Sequence, residues 1–586
     1  MQKQILKLIF LVVVFFAVPN FASAADVYMS KTGTKTTGKS TAGNWSNSNC
    51  YNNLEDIFIA NSLSPGDTLT IDDGIYTGAS NSIHQWNFPP SGTAGNFIVI
   101  RAKNIPCQNG VACNQPLKVH FDGANGAVFE ASNYPENDPA KKVEYIKFWG
   151  IRWDGISTYT NWDHLYFKQV ASMGISDGNS AVFDMSGQHN LVEDCIAFGK
   201  GRYKFLFYDI SRELQLQGPG NNVCRRCIVR HDWAKKEDPT QDPVASFSSY
   251  YNRGTALLNP IDIDSSMPAY WMRNPGELSG AFYQPVDDSS NGQHLLDIEG
   301  GIVINSAMNM GQSSSSSVGS GNIYQDIVGI NVAGGFLPRG GGTFNRISLL
   351  NVNSGNYTYR NALQKSNVLA IDDGIFNWSD SPFVVTNSIF KNLAGIGIYG
   401  NATSNYMNMH GVAGGNYSGV SPAVNLISSN PIYNAATNPL GSLKYPVRIE
   451  NSSALSAAGS FGGQIGARIT NKLGVDGAFK GDANWNTEQG SLWPWPLEDW
   501  VQAEMRTSDY SSFCAPFAAT ANACPSTFAT DAYRGFASSG VDAWGQPITL
   551  TKYIWQSLGN QIPCEIYGTC GGDVIAPSAP SGLSVL

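Results

Sequence analysis

The densest group of basic side chains in the sequence lies between positions 200 and 236. Cleavage of a uronic-acid polymer by elimination needs a cation to neutralise the sugar carboxylate, a base to remove the adjacent proton and an acid for the leaving oxygen. In a chain with a formal net charge of −9, such a local concentration of cations suits an acidic sugar. The group comprises Lys200, Arg202, Lys204, Arg225, Arg226, Arg230, His231, Lys235 and Lys236.

Within this group we predict specific roles. Arg226 or Arg230 is predicted to bind the sugar carboxylate, because a guanidinium presents two parallel donors to it. His231, Lys204 or Tyr203 is predicted to transfer the proton.

Aromatic side chains are frequent in the loops near this basic group, and sugar rings stack well on such faces. The same side chains could instead cover the ends of apolar coils, and both alternatives stay open. The residues predicted to contact the substrate are Arg202, Tyr203, Tyr250, Tyr251 and Trp271.

Acidic residues concentrate between positions 262 and 299, at Asp262, Asp264, Asp287, Asp288, Asp297 and Glu299. Because Ca²⁺ prefers six to eight oxygen ligands, we predict a possible calcium site at Asp262, Asp264 and Glu299. No Asp-x-Asp-x-Asp-Gly loop is present, and the alternative is a set of solvated turn residues. Hydrolysis by two carboxylates across a cleft is a further option, which spacing in the sequence does not test.

A loose repeat positions these residues. The segment from Asn190 to Ile196 aligns with the segment from Asn222 to Ile228, and similar apolar-polar-polar-apolar units recur near residues 323, 344 and 385. Repeated strands with loops of variable length are typical of a solenoid, in which stacked coils share one apolar interior. We therefore predict an all-β chain that forms a right-handed parallel β-helix. A β-sandwich is less well supported, since evenly spaced hairpins are lacking.

The repeat also supplies a structural alternative for the two adjacent arginines. It places Arg225 and Arg226 on the coil next to Glu193 and Asp194, so the four side chains could pair across coils and stabilise the ladder. The same alignment places Cys195 beside Cys227, as stacked thiols or as a bridge.

The first residues predict export. Lys3 and Lys7 precede a short apolar run, and Ala22-Ser23-Ala24 suits a signal peptidase, so residues 1–24 are predicted to be a cleaved signal peptide. No other stretch is long and apolar enough to span a membrane. Export makes the 10 cysteines candidates for disulfides, with three close pairs at Cys107/Cys113, Cys514/Cys524 and Cys564/Cys570. Cys224-x-x-Cys227 lacks a second half-site for zinc.

Composition limits the functional classes. The acidic balance argues against a general nucleic-acid binder, and 42% hydrophobic residues exclude wholesale disorder. We predict a β-helix over residues 25–450 and a small disulfide-stapled, partly helical C-terminal cap over residues 451–572, which protects the end of the solenoid. Residues 573–586 are predicted to be a linker that resembles the opening of a fibronectin type III domain.

Three N-terminal segments carry a family resemblance. LSPGDTLTIDDGIYTG, SGTAGNFIVIRA and VEYIKFWGIRWDG resemble the start of secreted right-handed parallel β-helix proteins of the pectin-lyase-like group, which includes chondroitinase B and alginate lyases. The resemblance covers residues 26–155 and implies a fold more than an activity. The Arg-x-Pro-x-x-Arg element of pectate lyases, the Leu-Arg-His-Gly context of chondroitinase B and the Gly-His-Gly of polygalacturonases are missing from the sequence, so no catalytic set transfers intact.

Together these features predict a secreted or cell-surface protein that binds an acidic extracellular polysaccharide and cleaves it by β-elimination. The competing hypothesis is a non-catalytic surface or matrix protein in which the solenoid is a rigid spacer or adhesin. A lining of basic and aromatic side chains along a groove would favour the enzyme, and charge-paired arginines on a flat ladder would favour its rival.

Overall fold

The computed structural model shows a stack of parallel coils. It describes residues 24–84, 86–130, 142–158, 162–175, 181–199, 201–208, 220–232, 245–250, 252, 254–265, 280–284, 296–306, 309–313, 322–332, 334–338, 342–352, 382–431, 447–449, 453–507, 535–542, 544–559, 562 and 566–567. Predictions about residues 1–23 and 573–586 lie outside this part of the chain.

Three parallel ladders of strands form the solenoid, and the third is shorter than the other two in the described residues. The first ladder contains the strands Asp26–Met29, Thr68–Ile71, Ile98–Ala102, Ile146–Trp149, Tyr166–Lys168, Leu191–Glu193, Val223–Arg225, Thr255–Leu258 and Leu296–Glu299. The second ladder contains Gly74–Tyr76, Val119–Phe121, Arg152–Trp153, Ala171–Gly174, Ile196–Gly199, Ile228–His231, Ile261–Ile263, Ile302–Ile304 and Leu426–Ile427. Four longer strands run through both, namely Ile323–Ile330, Gly342–Leu350, Phe383–Leu393 and Ala402–Val412.

The third ladder forms a separate parallel sheet. Its strands are Phe129–Glu130, Ile156–Ser157, Ala181–Met185, Tyr203–Tyr208, Ala245–Tyr250, Gly280–Gln284, Asn309–Ser313 and Gly334–Pro338. Shorter strands are Cys50–Tyr51, Val143–Glu144, Trp162–Asp163, Ile398–Tyr399, Tyr417–Ser418 and the antiparallel pair Asn471–Leu473 and Glu488–Ser491. The prediction of a parallel β-helix is thus confirmed.

Helices are few among the described residues. The α-helices are Leu54–Ile59, Glu498–Met505 and Leu550–Ser557, and the last two lie in the C-terminal segment, which the sequence predicts to be partly helical. The 3-10 turns are Asn47–Asn49, Ala79–Asn81, Gly123–Asn125, Ala454–Ser456, Ser460–Gly462 and Gly535–Ala537. Asn53 caps the first α-helix by accepting from the Asp56 amide, and Gly559 follows the last with a φ of 84°. None of the described helices is long and apolar enough to cross a membrane.

The register confirms the repeat found in the sequence. Leu191 pairs with Val223 and Ile196 with Ile228, the 32-residue offset of the alignment. Inward-facing rings then stack coil on coil, as between Phe205 and Phe247, whose ring centroids are 5.5 Å apart. Because no single coil can bury these side chains, the apolar core forms only when neighbouring coils stack.

One residue in the left-handed region turns the chain from the first ladder to the second in coil after coil. Two of these corners are Asp194 and Arg226, each with a φ of 52°. Left-handed backbone disfavours most side chains, so neighbouring coils must hold these residues there. The Asp194 amide donates to the Arg225 carbonyl, and the Arg226 amide to the Leu258 carbonyl.

The described cysteines form disulfides or are buried thiols. Disulfides join Cys107 to Cys113 and Cys224 to Cys227, whereas Cys195 is a buried free thiol. The bridge envisaged between Cys195 and Cys227 is therefore not formed. The two predicted pairs nearer the C-terminus lie outside the described residues.

Residues 453–507, one described part of the C-terminal segment, lie along the side of the solenoid, and the predicted role of this segment at the end of the solenoid stays a prediction. As this segment proceeds along its own sequence, its backbone amides donate to side chains of coils that lie progressively closer to the N-terminus. The hydrogen-bonded pairs are Ser460 with Asn387, Ala467 with Ser348, Arg468 with Asp326, Leu473 with Asn259 and Gly477 with Glu193. A segment that only covered the end of the solenoid would not make these contacts along its side.

Two outward-facing surfaces are covered by this segment. Outward side chains of the second ladder, such as Ile228 and Ile302, share an apolar cluster with Trp493 and Trp500. On the first ladder, Leu191, Val223 and Leu258 pack with Leu473, and Phe479 packs against that cluster. In the middle coils, from Leu191 to Ile263, the outward faces of these two ladders are therefore interior surfaces, whereas outward side chains such as Ile75 and Ile323 in other coils are exposed.

We predict that Glu504 is a principal attachment of the C-terminal segment. Its buried carboxylate accepts from the Leu117 amide at 2.7 Å and lies 3.5 Å from Arg152 Nη1. Glu504→Ala should lower the free energy of unfolding in urea by about 3 kcal/mol, because it leaves the Leu117 amide without its acceptor and the buried Arg152 without one of its two carboxylate neighbours. Asp499→Ala, on the exposed side of the same helix, should cost less than about 0.5 kcal/mol. Equal losses would contradict the assignment.

Candidate functional site

An open cavity of about 580 Å³ lies over the outward face of the third ladder. We call it the third-ladder groove. Polar and aromatic side chains line it together, and those used below are Glu130, Asp154, Asp184, Arg202, Tyr203 and Tyr208.

Strand register places the lining side chains in columns. Ser157 pairs with Glu130 on one neighbouring coil and with Asp184 on the other, and Asp184 pairs with Leu206. Because side chains alternate across a strand, these residues face outward while Phe183 and Phe205 face the core. The groove floor is therefore held by the same stacked rings that fill the solenoid.

Asp184 is the carboxyl group at the centre of this floor. Its Oδ1 accepts from Ser186 Oγ at 3.2 Å. Burial raises the pKa of Asp184 to about 7, partly offset by the hydrogen bonds from Ser186 and Ser157. A carboxyl group that titrates near neutrality can give or take a proton under ordinary conditions.

Asp154 sits at the edge of the groove next to an imidazole and a guanidinium. Its Oδ1 lies 3.0 Å from His120 Nε2 and 3.5 Å from Arg152 Nε. These neighbours belong to the second ladder, so Asp154 links the groove to the part of the fold that the C-terminal segment covers.

Arg202 and Tyr203 bring a cation and an aromatic face to the groove. The guanidinium carbon lies 5.4 Å from the Tyr203 ring centroid, a cation–π arrangement. Both residues were predicted from the sequence to contact the substrate. That role stays a prediction, and their position on the groove gives it a geometric basis.

Arg226 is itself buried and lies in an ion-pair cluster at the corner between the first two ladders, whose outermost member, Asp476, is exposed. Its Nε donates to Asp194 Oδ1 at 2.5 Å and its Nη2 donates to Asp476 Oδ1 at 2.7 Å. Lys168 contacts the same carboxylates and Glu193. Despite burial, Arg226 and Lys168 hold the pKa of Asp194 well below its usual range.

Arg225 completes this cluster. It is fully buried, and its Nη1 donates to Glu193 Oε2 at 2.5 Å. Its Nη2 donates to the carbonyls of Ala478 and Trp485 in the C-terminal segment. Cross-coil pairing of Arg225 and Arg226 with Glu193 and Asp194, the structural alternative from the sequence, is the arrangement in the structure.

The other three residues predicted to act in catalysis are also buried. Arg230 donates to Asp232 Oδ1 at 2.8 Å and to the Met505 carbonyl at 3.1 Å. His231 Nε2 lies 2.9 Å from the Ala245 carbonyl oxygen, and burial lowers its pKa well below the usual value. Lys204 donates to the Gly201 carbonyl at 3.0 Å.

Lys204, Arg226, Arg230 and His231 are not among the residues that line the third-ladder groove. Their catalytic roles stay predictions, and each side chain would have to leave its buried partners to reach a polymer. A physical reason for the discrepancy is the C-terminal segment, which covers the ladder faces that the sequence left open.

The predicted calcium ligands do not converge in the described part of the chain. Asp262 is buried and accepts from Ser306 Oγ at 3.2 Å, whereas Asp264 accepts from Tyr553 Oη at 2.7 Å. Glu299 accepts from Gln325 on the first ladder. Hydrogen bonds within the fold therefore occupy all three carboxylates.

A different acidic group converges among the described residues, namely Glu193, Asp194 and Asp476. Lys168, Arg225 and Arg226 already neutralise these carboxylates. A cation would have to displace those side chains, so this cluster does not fit a metal.

The predicted aromatic contacts are described only in part. The backbone of Tyr250 pairs with Tyr208, so Tyr250 lies one coil beyond the groove on the same ladder. Tyr251 and Trp271 lie outside the described residues.

Sequence reasoning missed Glu130, Asp154, Asp184 and Tyr208. A signal was present at Ala181–Met185 and Tyr203–Tyr208, where buried phenylalanines alternate with the partly buried residues Asp184, Leu206 and Tyr208. Period-two alternation predicts a half-buried strand with those residues outward. Recognising a third ladder there would have placed Asp184 on the coil next to Leu206 and on the same ladder as Tyr208.

No family model matches this sequence, and no curated protein matches it significantly. Solved structures similar to it include a pectate lyase, Pel9A, at 13% identity and a TM-score of 0.32, covering 80% of this chain and 96% of that one. A polysaccharide lyase of family PL6 from Pseudopedobacter saltans has 12% identity and a TM-score of 0.33, covering 59% and 64%. A GH136 lacto-N-biosidase from Eubacterium ramulus has 10% identity and a TM-score of 0.35, covering 69% and 68%.

These likenesses carry no argument about chemistry, since the TM-scores are low. The class of protein follows from the strand pairing: a parallel β-helix, the fold that the pectin-lyase-like resemblance implied. The chemistry of the groove therefore depends on the side chains that line it.

The raised pKa of Asp184 predicts a pH-dependent stability. The folded state disfavours the ionised form of Asp184. Below the ordinary aspartate pKa the carboxyl group is protonated in both states, so it does not lower the free energy of unfolding. Between that pKa and a pH of about 7 its ionisation lowers the free energy of unfolding progressively. Asp184→Asn should therefore be more stable than wild type at pH 8 by at least about 1 kcal/mol, and the difference should shrink towards pH 4. Urea unfolding at both pH values measures it.

Glu55→Gln, an exposed carboxyl on the first α-helix, is the matched control and should show no such trend. A difference between Asp184→Asn and wild type that is independent of pH would show that Asp184 is ionised throughout this range.

Proposed function

We propose that the protein binds an acidic extracellular polysaccharide in the third-ladder groove and cleaves it by β-elimination. The observation that carries the proposal is the groove itself, an open cavity lined by the cation of Arg202, by carboxyl groups and by two tyrosines, of which Tyr203 is largely buried. Ligand sites are concave surfaces with a few convergent polar groups, and this groove has that character.

Each groove residue has a step in the proposed reaction. Arg202 pairs with the uronate carboxylate and so stabilises the negative charge that develops when the neighbouring carbon loses its proton. Asp184, when ionised, takes that proton, and the electron pair forms a carbon–carbon double bond as the glycosidic oxygen leaves. Tyr203 and Tyr208 contact the sugar rings, and the proton needed by the leaving oxygen comes from a tyrosine hydroxyl or from water.

The covering of the other ladders supports this location. In the middle coils, side chains that face outward from the first and second ladders pack under the C-terminal segment, so a polymer would have to displace buried apolar surface to reach the predicted basic residues there. The third-ladder groove requires no such displacement.

Hydrolysis is a second candidate, favoured by one observation. Glu130 and Asp184 lie on the same face of the third ladder, two register steps apart, which is roughly 9.6 Å between backbones at about 4.8 Å a step. Inverting glycosidases hold an acid and a base about 6.5–9.5 Å apart. Asp184 would then protonate the leaving oxygen while Glu130 activates water.

Export and an extracellular substrate are part of the same proposal. The predicted signal peptide supports them, since a polymer outside the cell is reached only by an exported protein. The competing proposal remains a non-catalytic surface or matrix protein.

Incubation of the purified protein with pectate, alginate and glycosaminoglycans tests the proposal. Elimination creates unsaturated uronate ends that absorb in the ultraviolet, whereas hydrolysis creates reducing ends without that absorbance. We expect ultraviolet-absorbing product, reduced at least about 100-fold in Asp184→Asn and in Arg202→Ala. Arg468→Ala removes a half-exposed arginine outside the groove and should retain full activity.

Other outcomes separate the candidates. Reducing ends without ultraviolet absorbance, lost in Asp184→Asn and Glu130→Gln, would establish the hydrolase. Binding without any product would support the non-catalytic alternative. Activity lost in Arg226→Ala but retained in Asp184→Asn, with both variants folded, would move the site to the corner cluster and contradict the groove.

A further inference from the structure

Trp86 is an unusually exposed aromatic side chain, with 66% of its surface open to solvent. It lies in a tight turn between His84 and Asn87, whose backbones exchange two hydrogen bonds of 2.9 Å. The Asn87 side chain is buried and donates to the Ser82 carbonyl at 2.6 Å. Hydrogen bonds therefore hold the described backbone on either side of the turn, at His84 and Asn87.

This turn continues the third ladder by one coil towards the N-terminus. Ile83 forms a parallel bridge with Phe129, and its amide and carbonyl bond to Val128 and Glu130 at 2.8 and 3.0 Å. His84 therefore follows Glu130 in the outward column of the groove, and Trp86 stands just beyond it.

The length of this arrangement along the solenoid axis follows from the register. Four steps separate Ile83 from Phe205, through Phe129, Ile156 and Phe183. At about 4.8 Å a step they span roughly 19 Å. Tyrosines lie at one end of this span and Trp86 at the other, with the carboxyl groups and Arg202 between or beside them.

We propose that Trp86 is a remote sugar-binding subsite, so that a glycan lies along the solenoid axis and crosses the strands of the third ladder. The inference rests on the proposed function and adds to it the direction of the polymer and a preference for long chains. An indole face offers the apolar faces of a sugar ring a large contact area, and the hydrogen-bonded backbone on either side of its turn lowers the entropy lost on binding. A chain across the strands meets every groove residue in turn, whereas one along a single strand would not.

Affinity for oligomers of increasing length tests this subsite. Galacturonate and mannuronate oligomers from disaccharide to octasaccharide are titrated calorimetrically into Asp184→Asn protein, which prevents turnover, with and without Trp86→Ala. We expect Trp86→Ala to weaken octasaccharide binding about tenfold and to leave disaccharide binding within about twofold. Trp86→Phe should restore most of the octasaccharide affinity, since a ring face remains.

Phe461→Ala is the matched control, because Phe461 is a fully exposed aromatic residue on the C-terminal segment. It should bind all oligomers as its parent does, and unchanged thermal midpoints would show that each variant is folded. Octasaccharide affinity unchanged by Trp86→Ala would overturn the subsite while leaving the groove intact. Absence of binding by the parent protein at every length would overturn both proposals.

Discussion

Coil-on-coil stacking is the constraint on which the rest of this structure depends. A coil of three short strands has unpaired backbone groups above and below it and an apolar interior that it cannot close alone. The register between neighbouring coils therefore determines which aromatic rings contact each other inside and which polar residues align outside. An example is the pairing of Leu191 with Val223, 32 residues further along the chain. The corners follow from the same constraint, because left-handed residues such as Asp194 are held by hydrogen bonds to the next coil.

The corners also attach the C-terminal segment. Side chains of Asn259, Asp326 and Asn387, each left-handed, accept amides from that segment at 2.8 to 2.9 Å. One set of residues thus turns the coils and aligns the chain that covers two ladders. This covering explains why the basic cluster is interior and why the third ladder carries the open groove.

Much of the solenoid could be predicted from the sequence, because its signals are local. The 32-residue repeat, the Asn53-capped helix and the turn at Gly559 all appear in short stretches of sequence. The third ladder was missed because its alternation at Ala181–Met185 is only five residues long. The pairing of Arg226 with Asp476 spans 250 positions, and no local pattern reports such a contact.

The central claim is that polymer binds the third ladder and not the corner between the other two. Amide hydrogen exchange with and without a bound acidic polysaccharide measures this directly, since a ligand slows exchange where it covers the backbone. The account predicts added protection at residues 128–130, 154–157, 181–184 and 202–208, with residues 223–231 and 473–485 unchanged. Protection confined to residues 223–231, or exchange there that quickens as the C-terminal segment is displaced, would contradict it.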